Sequence, residues 1–288
     1  MTTPDPFPLL SVVLSTFNSG GYLKIAVQSI ISQSFEDWEL ILLDDGSTDD
    51  SVDVVRALAD PRIRIVSDGR NMGLAARLNQ GIDLSRGDLI ARMDGDDICF
   101  PQRFELQVRF LMAHPNVDLV GTQVLAFSSN KFAVRSLGPE IHESICSRPW
   151  SGIRVAHPTW MVRKAWYQKF RYYMPEYVRA EDQELLLRAM DVSNYSVIPD
   201  VLLAYRQVAF DFKKTQRARR SLLVAQWRYF LHKGNINFAF LALFAYLAKT
   251  MVDAVAALPG AESLFFRRMG RVASKELMQQ LKSLGGDA

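Results

Sequence analysis

The sequence predicts an α/β fold with a mostly parallel central sheet flanked by helices. In the first third of the chain, short apolar runs alternate with stretches of helical spacing, which is the pattern of successive βαβ units. Right-handed crossovers place such helices on both faces of the sheet. Of the 288 residues, 49% are hydrophobic, which is enough for the large core that this fold needs.

The strands and helices of this first third follow one another in a regular order. The apolar runs that predict strands are Leu9–Ser15, Trp38–Leu43, Arg62–Val66 and Asp88–Met93. The stretches that predict helices are Gly20–Ser32, a segment that begins near Asp49, and Leu74–Leu84. Polar residues follow three of the strands, at residues 16–18, 44–47 and 94–97. Because ligands bind beyond the carboxyl ends of the strands in such sheets, we expect these residues to meet at one rim.

The remainder of the chain is less regular up to residue 210. Further strands are predicted at Val117–Leu125, Phe132–Leu137, Tyr195–Ile198 and Val201–Arg206, and a further helix at Ala180–Met190. After residue 210 the pattern changes to long helices. We therefore expect a main α/β domain over residues 1–210 and a C-terminal helical extension over residues 211–288.

The cysteines and the N-terminus predict a reducing, cytoplasmic setting. Cys99 and Cys146 form neither a disulfide framework nor a metal-binding spacing. The first ten residues contain three prolines and no basic segment, which is not the pattern of a secretory signal.

The C-terminal extension is basic and contains a long apolar run. Residues 211–288 hold 13 Lys and Arg against 5 Asp and Glu, whereas residues 1–210 have an excess of acids. The apolar run Phe238–Ala248 is shorter than the ~20 residues of a membrane-spanning helix, and its continuation contains Lys249 and Asp253. An apolar helix beside basic residues favours peripheral binding to an anionic membrane. Packing on the main domain, or contact with a second copy, explains the same apolar residues and stays open.

The segment MDGDDI places Asp94 and Asp96 two residues apart at the end of a strand. Paired carboxylates together with substrate phosphates suit Mg²⁺ or Mn²⁺, which prefer oxygen ligands. An EF-hand that begins at Asp94 is excluded, because Ile98 and Cys99 occupy positions that require an oxygen ligand and a glycine. A solvated acidic turn is the remaining alternative.

The segment DDGSTDD, residues 44–50, predicts a tight strand–turn–helix junction. Gly46 permits the turn, and a polar residue after it caps the helix. The turn alone does not explain the two preceding acids, Asp44 and Asp45. A carboxylate at a strand end can accept hydrogen bonds from a nucleoside, as in other nucleotide-binding folds.

Five segments together resemble the family-2 glycosyltransferases, over roughly residues 9–206. They are SVVLSTFN (11–18), DDGSTD (44–49), NMGLAARLNQG (71–81), ARMDGDDI (91–98) and EDQELLLR (181–188). The resemblance implies a GT-A fold and transfer of a sugar, with inversion, from a nucleotide-diphosphate donor. It implies a UDP-sugar in particular, because Asp45 matches the residue that contacts uracil.

The resemblance also implies roles for individual residues. The residues implied on the nucleotide-sugar side are Thr16, Phe17, Asn18, Asp44, Asp45, Asn71, Asp94 and Asp96. Asp96, and with it Asp94, is expected to hold the metal. Asp182 matches the general base, although an acid at a helix N-terminus is also favoured by the helix dipole alone. Glu181 and His157 are expected on the acceptor side.

This sequence departs from many relatives in two places. Arg77 and Asn79 are separated by Leu78 where relatives have adjacent Arg and Asn, so no nucleotide contact is assigned to Arg77. The Q-x-x-R-W motif of processive members is absent, and the nearest basic residue late in the domain is Arg206. This absence favours addition of a single sugar.

The expected partners are a nucleotide-sugar donor, a saccharide or lipid-linked acceptor and an anionic membrane surface, but no nucleic acid. One alternative is a sugar-nucleotide nucleotidyltransferase. It is disfavoured because STFNSGGY, after the first strand, lacks the basic residue of a phosphate loop. The other alternative is a non-catalytic assembly protein on the same scaffold, which the retained acids disfavour.

Overall fold

The computed structural model describes residues 8–128, 131–135, 141–172, 179–207, 211–258 and 270–286. The strands are β1 (Leu10–Thr16), β2 (Trp38–Asp44), β3 (Ile63–Ser67), β4 (Leu89–Asp94), β5 (Ile98–Cys99), β6 (Leu119–Ser128), β7 (Lys131–Arg135), β8 (Met161–Arg163), β9 (Tyr195–Arg206) and β10 (Arg271–Val272). The helices are α1 (Gly21–Ile31), α2 (Ser51–Arg56), α3 (Leu74–Leu84), α4 (Arg103–Ala113), α5 (His142–Ile145), α6 (Lys164–Lys169), α7 (Glu181–Ala189), α8 (Phe212–His232), α9 (Ile236–Ala256) and α10 (Lys275–Ser283).

All of these strands belong to one sheet, in the order β10-β7-β6-β8-β4-β1-β2-β3, with β9 beside β6 and β5. The segment β3-β2-β1-β4 is parallel, as the alternation of strands and helices predicts. Its register pairs Thr16 with Asp44 and Ser15 with Asp94. The polar residues that follow these strands therefore lie at one edge of the sheet.

Side chains of the parallel strands alternate between two apolar cores, one on each face of the sheet. On one face, Leu10, Val12 and Leu14 of β1 pack with buried residues of α1 and α4. On the other face, Val13 packs with Leu78 of α3 and with residues of the α7 region. The layers of helices predicted on both faces are confirmed.

The second half extends the sheet with β6, β7 and β9, which overlap predicted strands, and with β8, which the sequence did not predict. The three-residue β8 lies antiparallel between β4 and β6, and is too short for a periodic pattern. The two strands predicted at Tyr195–Ile198 and Val201–Arg206 form the single strand β9, whose register against β6 shifts beside Pro199. A bulge accommodates a proline that cannot donate to the ladder. The predicted strand Phe132–Leu137 overlaps β7, and residues 136–137 lie outside the described part.

The C-terminal extension begins with an antiparallel hairpin of α8 and α9. Asp253 of α9 accepts hydrogen bonds from Arg219 and Gln216 of α8, and Lys249 Nζ donates to the Ser151 carbonyl at 2.6 Å. Small residues on the inner face of α9, such as Ala239 and Ala242, are buried. The hairpin thus packs on the main domain through one face of α9.

The outer face of α9 is apolar and exposed. Phe240, Phe244 and Met251 are 60%, 70% and 72% exposed. Among the described residues, α9 is one helix that is long and apolar enough to cross a membrane by length and composition. One face of α9 thus packs on the main domain, as one of the two interpretations predicts, whereas binding of its exposed face to a membrane stays a prediction.

Candidate active site

A cavity of about 650 Å³ opens at the carboxyl ends of β1 and β4, and we call it the strand-end cavity. It is lined by Phe17, Asn18, Ser19, Gly20, Gly21, Tyr22, Asp49, Asp94, Gly95 and Asp96, with Ser15 at its base. Four of the predicted donor-side residues, Phe17, Asn18, Asp94 and Asp96, therefore meet at one cavity.

The loop after β1 is held in shape by the loop after β2. Asn18 adopts the left-handed conformation, with φ 49°, and its Oδ1 accepts a hydrogen bond from the Thr48 backbone N–H at 2.8 Å. The backbone N–H of Gly20 donates to Asp49 Oδ2 at 3.0 Å. Thr16 is buried and its hydroxyl donates to Ser19 Oγ at 2.8 Å. Thr16 therefore supports the loop that lines the cavity from behind.

Asp44 and Asp45 lie outside the lining of the strand-end cavity and are buried. Asp44 accepts hydrogen bonds from the Ser47 backbone N–H at 3.0 Å and from the Ser67 hydroxyl at 2.6 Å. Burial alone raises the pKa of Asp44, but these hydrogen bonds outweigh it and lower the pKa below the ordinary value. Asp44 therefore stays ionised and fixes the turn.

Asp45 organises the loop that contains Asn71. Its Oδ1 accepts from the Met72 backbone N–H at 2.6 Å and from Arg77 Nε at 3.0 Å, and its Oδ2 accepts from the Gly73 N–H at 3.0 Å. Asn71 is exposed and lies against the turn at Gly46, where a Cβ atom would come within 3.2 Å of the Asn71 nitrogen.

Arg77 is fully buried and holds this loop together. It forms ion pairs with Asp45 at 3.0 Å and with Asp68 at 2.6 Å, and its Nη1 donates to Gln80 at 2.8 Å. These contacts give Arg77 a structural role in the loop that contains Asn71.

Replacing Arg77 with methionine is expected to lower the free energy of unfolding by roughly 3–5 kcal/mol, because it leaves the buried Asp45 carboxylate without its charged partner. The matched control is Arg56→Met, which removes an exposed ion pair with Asp53 and is expected to change stability by less than about 1 kcal/mol. Urea unfolding of both variants measures the difference. Equal stability of the two variants would contradict the structural role of Arg77.

Three carboxylates crowd the end of β4. Oxygen atoms of Asp94, Asp96 and Asp97 all lie within 4.8 Å of one another. Burial, and then the charge of Asp94, raises the pKa of Asp96. Asp97 is fully buried, and its Oδ2 has no hydrogen-bond partner among the residues that the structure describes. Burial and the two neighbouring acids raise its pKa well above the ordinary value. An unpartnered buried oxygen amid excess negative charge fits a divalent cation.

Two arginines flank this acid cluster. Arg92 is buried in β4 and binds both oxygens of Asp94, at 2.7 and 2.5 Å. Arg206 Nε donates to the Asp96 carbonyl at 3.1 Å, and its guanidinium lies 4.1 Å from the centre of the Tyr22 ring. Arg206 Nη2 is buried without a hydrogen-bond partner in the described part of the chain.

The acid pair Glu181–Asp182 lies at the N-terminus of α7. The preceding Ala180 has φ 82°, a conformation that costs a non-glycine residue about 1–3 kcal/mol and that is concentrated at functional sites. Burial raises the pKa of Asp182. Burial, followed by the charge of Asp182, raises the pKa of Glu181 to about 7. The charge of Arg92 opposes both shifts, so this guanidinium acts on the acid pair as well as on Asp94.

Asp182 also lines a second cavity of about 370 Å³, which we call the α7 cavity. His157, Gln183 and Tyr205 line it with the backbone of residues 151–156. The Gln183 side chain clamps this backbone through two hydrogen bonds to Ile153, of 2.9 and 3.0 Å. Asp182 therefore lines a cavity that shares no lining residue with the strand-end cavity.

His157 is buried and neutral. Burial, and then the charge of Arg92, lowers its pKa well below the ordinary value. Its Nε2 lies 2.7 Å from the Tyr172 hydroxyl, and its Nδ1 lies 4.0 Å from Glu181 Oε1. Since His157 is uncharged, the contact with Glu181 is not an ion pair. The structure thus places both predicted acceptor-side residues beside Asp182.

Three residues of the candidate site were not identified from the sequence: Arg92, Asp97 and Tyr172. The run of three acids in 94–97 was a signal for Asp97. Arg92 and Tyr172 had none, because one lies within an apolar strand and the other in an irregular segment.

Comparison with known proteins agrees with this geometry. The model of the family "Glycosyl transferase family 2" matches residues 11–171, more than half of the chain. The glycosyltransferase EpsE of Bacillus subtilis is 38% identical over 191 residues, which cover 63% of this chain and 66% of that protein. The amylovoran biosynthesis glycosyltransferase AmsE of Erwinia amylovora is 31% identical over 209 residues, which cover 69% of this chain and 76% of that protein.

Solved structures with this fold include two complexes with nucleotide sugars. TarS of S. aureus, in complex with UDP-GlcNAc, matches with a TM-score of 0.67 and 18% identity, covering 88% of this chain and 77% of that one. The mannosyltransferase PcManGT of Pyrobaculum calidifontis, in complex with GDP-Man and Mn²⁺, matches with a TM-score of 0.59 and 19% identity, covering 99% and 86%. These similarities confirm the GT-A fold. The chain belongs to glycosyl transferase family 2 and is a glycosyltransferase.

Proposed function

We propose that the chain transfers a single sugar, with inversion, from a nucleotide-diphosphate donor to a hydroxyl of a saccharide or lipid-linked saccharide acceptor. The observation that carries this proposal is the position of Arg92 between two acidic groups. On one side the acid cluster lies at the strand-end cavity, and on the other Asp182 lines the α7 cavity. Two cavities beside one charged centre suit two substrates.

The donor nucleotide binds in the strand-end cavity. Phe17 is half-exposed there and offers an apolar surface to the nucleoside. Asp45 matches the residue that contacts uracil in the family, and because Asp45 is buried outside the cavity lining, the base has to extend past that lining to reach it. We favour UDP for this reason. Arg206 Nη2, which has no hydrogen-bond partner among the described residues, donates to an oxygen of the donor diphosphate.

Asp96, with Asp94 and Asp97, would hold Mg²⁺ or Mn²⁺. When bound, such an ion supplies positive charge where the diphosphate leaving group gains negative charge. PcManGT in complex with GDP-Man and Mn²⁺ supports this assignment by analogy.

Asp182 acts as the general base on the acceptor. The acceptor hydroxyl oxygen bonds to the anomeric carbon, the bond from that carbon to the diphosphate oxygen breaks, and Asp182 takes the hydroxyl proton. Attack from the α7 cavity, on the side opposite the leaving group, inverts the anomeric centre. Neutral His157 lines the α7 cavity beside Asp182, and Glu181 Oε1 lies 4.0 Å from its Nδ1.

The relatives support a role in surface polysaccharide biosynthesis. AmsE is a protein of amylovoran biosynthesis, and WbnJ of Escherichia coli, 27% identical over 254 residues, is a protein of O-antigen biosynthesis. We place the reaction at the cytoplasmic face of a membrane, where the exposed face of α9 meets the lipid.

The experiment that tests the proposed function is a thermal-shift screen with UDP, GDP, dTDP and CMP, each with and without Mn²⁺. A ligand that binds only the folded state raises its apparent stability, by about 2.7 kcal/mol at a concentration of 100 Kd. We expect a shift with one nucleotide, UDP, that requires the metal. If no nucleotide shifts a folded sample, the non-catalytic scaffold is the correct alternative.

The α9 face is expected to bind anionic vesicles. Replacing Phe240 and Phe244 with serine removes two exposed aromatic side chains, each worth about 1.5–3 kcal/mol when buried in lipid, and should release the protein in a flotation assay. Met112→Ser, which changes an exposed apolar residue of α4, is the matched control. Wild-type protein that stays in the soluble fraction with anionic vesicles would refute membrane binding.

A further inference from the structure

A cleft of about 440 Å³ lies between α7 and α8, separate from the strand-end and α7 cavities. We call it the α7–α8 cleft. Its size falls in the range of small-molecule sites, about 300–1,000 Å³. Its basic lining residues are Arg179, Arg188, Arg228, His232 and Lys233.

The cleft carries an excess of positive charge. Four Arg and Lys side chains line it, against Glu181 and Glu184. Arg188 pairs with Glu184 at 2.7 Å, and Lys233 pairs with Asp191 at 2.7 Å, so part of the charge is balanced within the protein. Arg179 and Arg228 are exposed at the rim, and because a guanidinium group has five N–H donors, it can bind phosphate oxygens in addition to its contacts within the protein.

Between the basic side chains the cleft is apolar. Leu187 of α7 and Val224 and Ala225 of α8 contribute to the lining. A phosphate ion alone makes no use of such a surface, whereas a phosphate bonded to a hydrocarbon chain contacts both kinds of lining. The chemistry of the cleft therefore fits an amphipathic phosphate.

The position of the cleft connects it with the reaction. Glu181 lines the cleft, and the next residue, Asp182, lines the α7 cavity. α8 is packed against α9, whose outer apolar face is exposed. A molecule held in the cleft thus lies between the candidate general base and the candidate membrane surface.

We propose that the α7–α8 cleft binds the phosphate or diphosphate group through which the acceptor sugar is linked to its lipid. This inference rests on the proposed transfer to a lipid-linked acceptor, and it assigns the recognition of the linkage to Arg179 and Arg228. The apolar lining holds the first part of the hydrocarbon chain.

The test is calorimetric titration of the full-length protein with geranyl diphosphate. Saturating UDP and Mg²⁺ are present, so that the probe does not enter the strand-end cavity. The double variant Arg179→Ala/Arg228→Ala is expected to bind at least about tenfold more weakly, since it removes the two guanidinium groups that bind the phosphate. The control, Lys213→Ala/Arg217→Ala, removes two exposed basic residues of α8 outside the cleft and should bind like wild type.

Two further probes separate the sources of the phosphate. Geraniol that binds as tightly as geranyl diphosphate would overturn the phosphate site, and inorganic diphosphate that binds as tightly would overturn the lipid assignment. Equal affinity of the wild type and the double variant would overturn the role of the two arginines. The thermal shift of the same proteins with UDP and metal is measured separately, so that failure of the cleft proposal can be distinguished from failure of the proposed function. Loss of that shift in the wild type refutes the proposed function, whereas a normal shift with unchanged geranyl diphosphate binding refutes the cleft alone.

Discussion

Asp182→Asn is expected to lower kcat by about 10²–10⁴-fold, the range of general-base catalysis, while UDP binding stays unchanged. The amide keeps the shape of the side chain but cannot take the acceptor proton. Asp182 lines the α7 cavity, whereas the proposed nucleotide site is the strand-end cavity, so the affinity for the donor should not change. Single-turnover kinetics and a UDP titration of the same preparation measure the two quantities. An asparagine variant that turns over at the wild-type rate would remove Asp182 from this role.

The pH profile provides a second measurement of the same assignment. Burial raises the pKa of Asp182, and burial together with Asp182 raises that of Glu181 to about 7. A base works only when deprotonated, so kcat/KM should fall with falling pH through a pKa that is higher than that of an ordinary aspartate. Glu181→Gln removes the neighbouring negative charge, which lowers the pKa of Asp182, and the acidic limb should move to lower pH. An unchanged limb in this variant would show that the two carboxylates do not share their titration.

The rim of acids was predictable because it depends on strand register. Each apolar run that ends in a polar cluster forms a parallel strand, and the pairing of Thr16 with Asp44 and of Ser15 with Asp94 brings the clusters to one edge. The turn at Gly46 was predictable for a local reason. Its φ of 82°, and the distance of only 3.0 Å that a Cβ atom at this position would have from the Arg70 backbone, exclude a side chain.

Arg92 and the neighbours of Asp182 were not predictable, because they depend on contacts distant in sequence. Arg92 has the pattern of a buried strand residue, and only the fold brings α7 within reach of its charge. The short β8 inserts between β4 and β6, and the turn of residues 157–159 that precedes it places His157 beside Glu181. A strand of three residues is too short to show the two-residue alternation that predicts a strand from sequence.

The burial of α9 could be predicted from the sequence only in part. Its composition predicted an apolar surface but not which part of that surface is covered. The period of 3.6 residues separates the small side chains of Ala239, Ala242 and Ala245, which are buried, from the large side chains of Phe240 and Phe244, which are exposed. Packing on the domain and an open apolar face coexist on one helix, and the sequence alone presented them as alternatives.

Asp96→Ala is expected to abolish the metal-dependent stabilisation by UDP and to lower activity by two orders of magnitude or more (about 10²-fold), as loss of charge stabilisation on a leaving group does. Asp96 lines the strand-end cavity. Burial and the charge of Asp94 raise its pKa, so a bound cation would stabilise its ionised form. Asp94 is already bound by Arg92, which leaves Asp96 the less neutralised of the two.

The matched control is Asp50→Ala, which removes an exposed acid near the same rim but outside the cavity lining. The thermal shift with UDP, recorded over a titration of Mn²⁺, separates metal affinity from nucleotide affinity. If Asp96 holds the metal ion, the variant should behave at every Mn²⁺ concentration as the wild type does in the presence of a chelator. If the variant shows the full shift at the Mn²⁺ concentrations that suffice for the wild type, the metal is held by the buried Asp97 or lies outside this cluster.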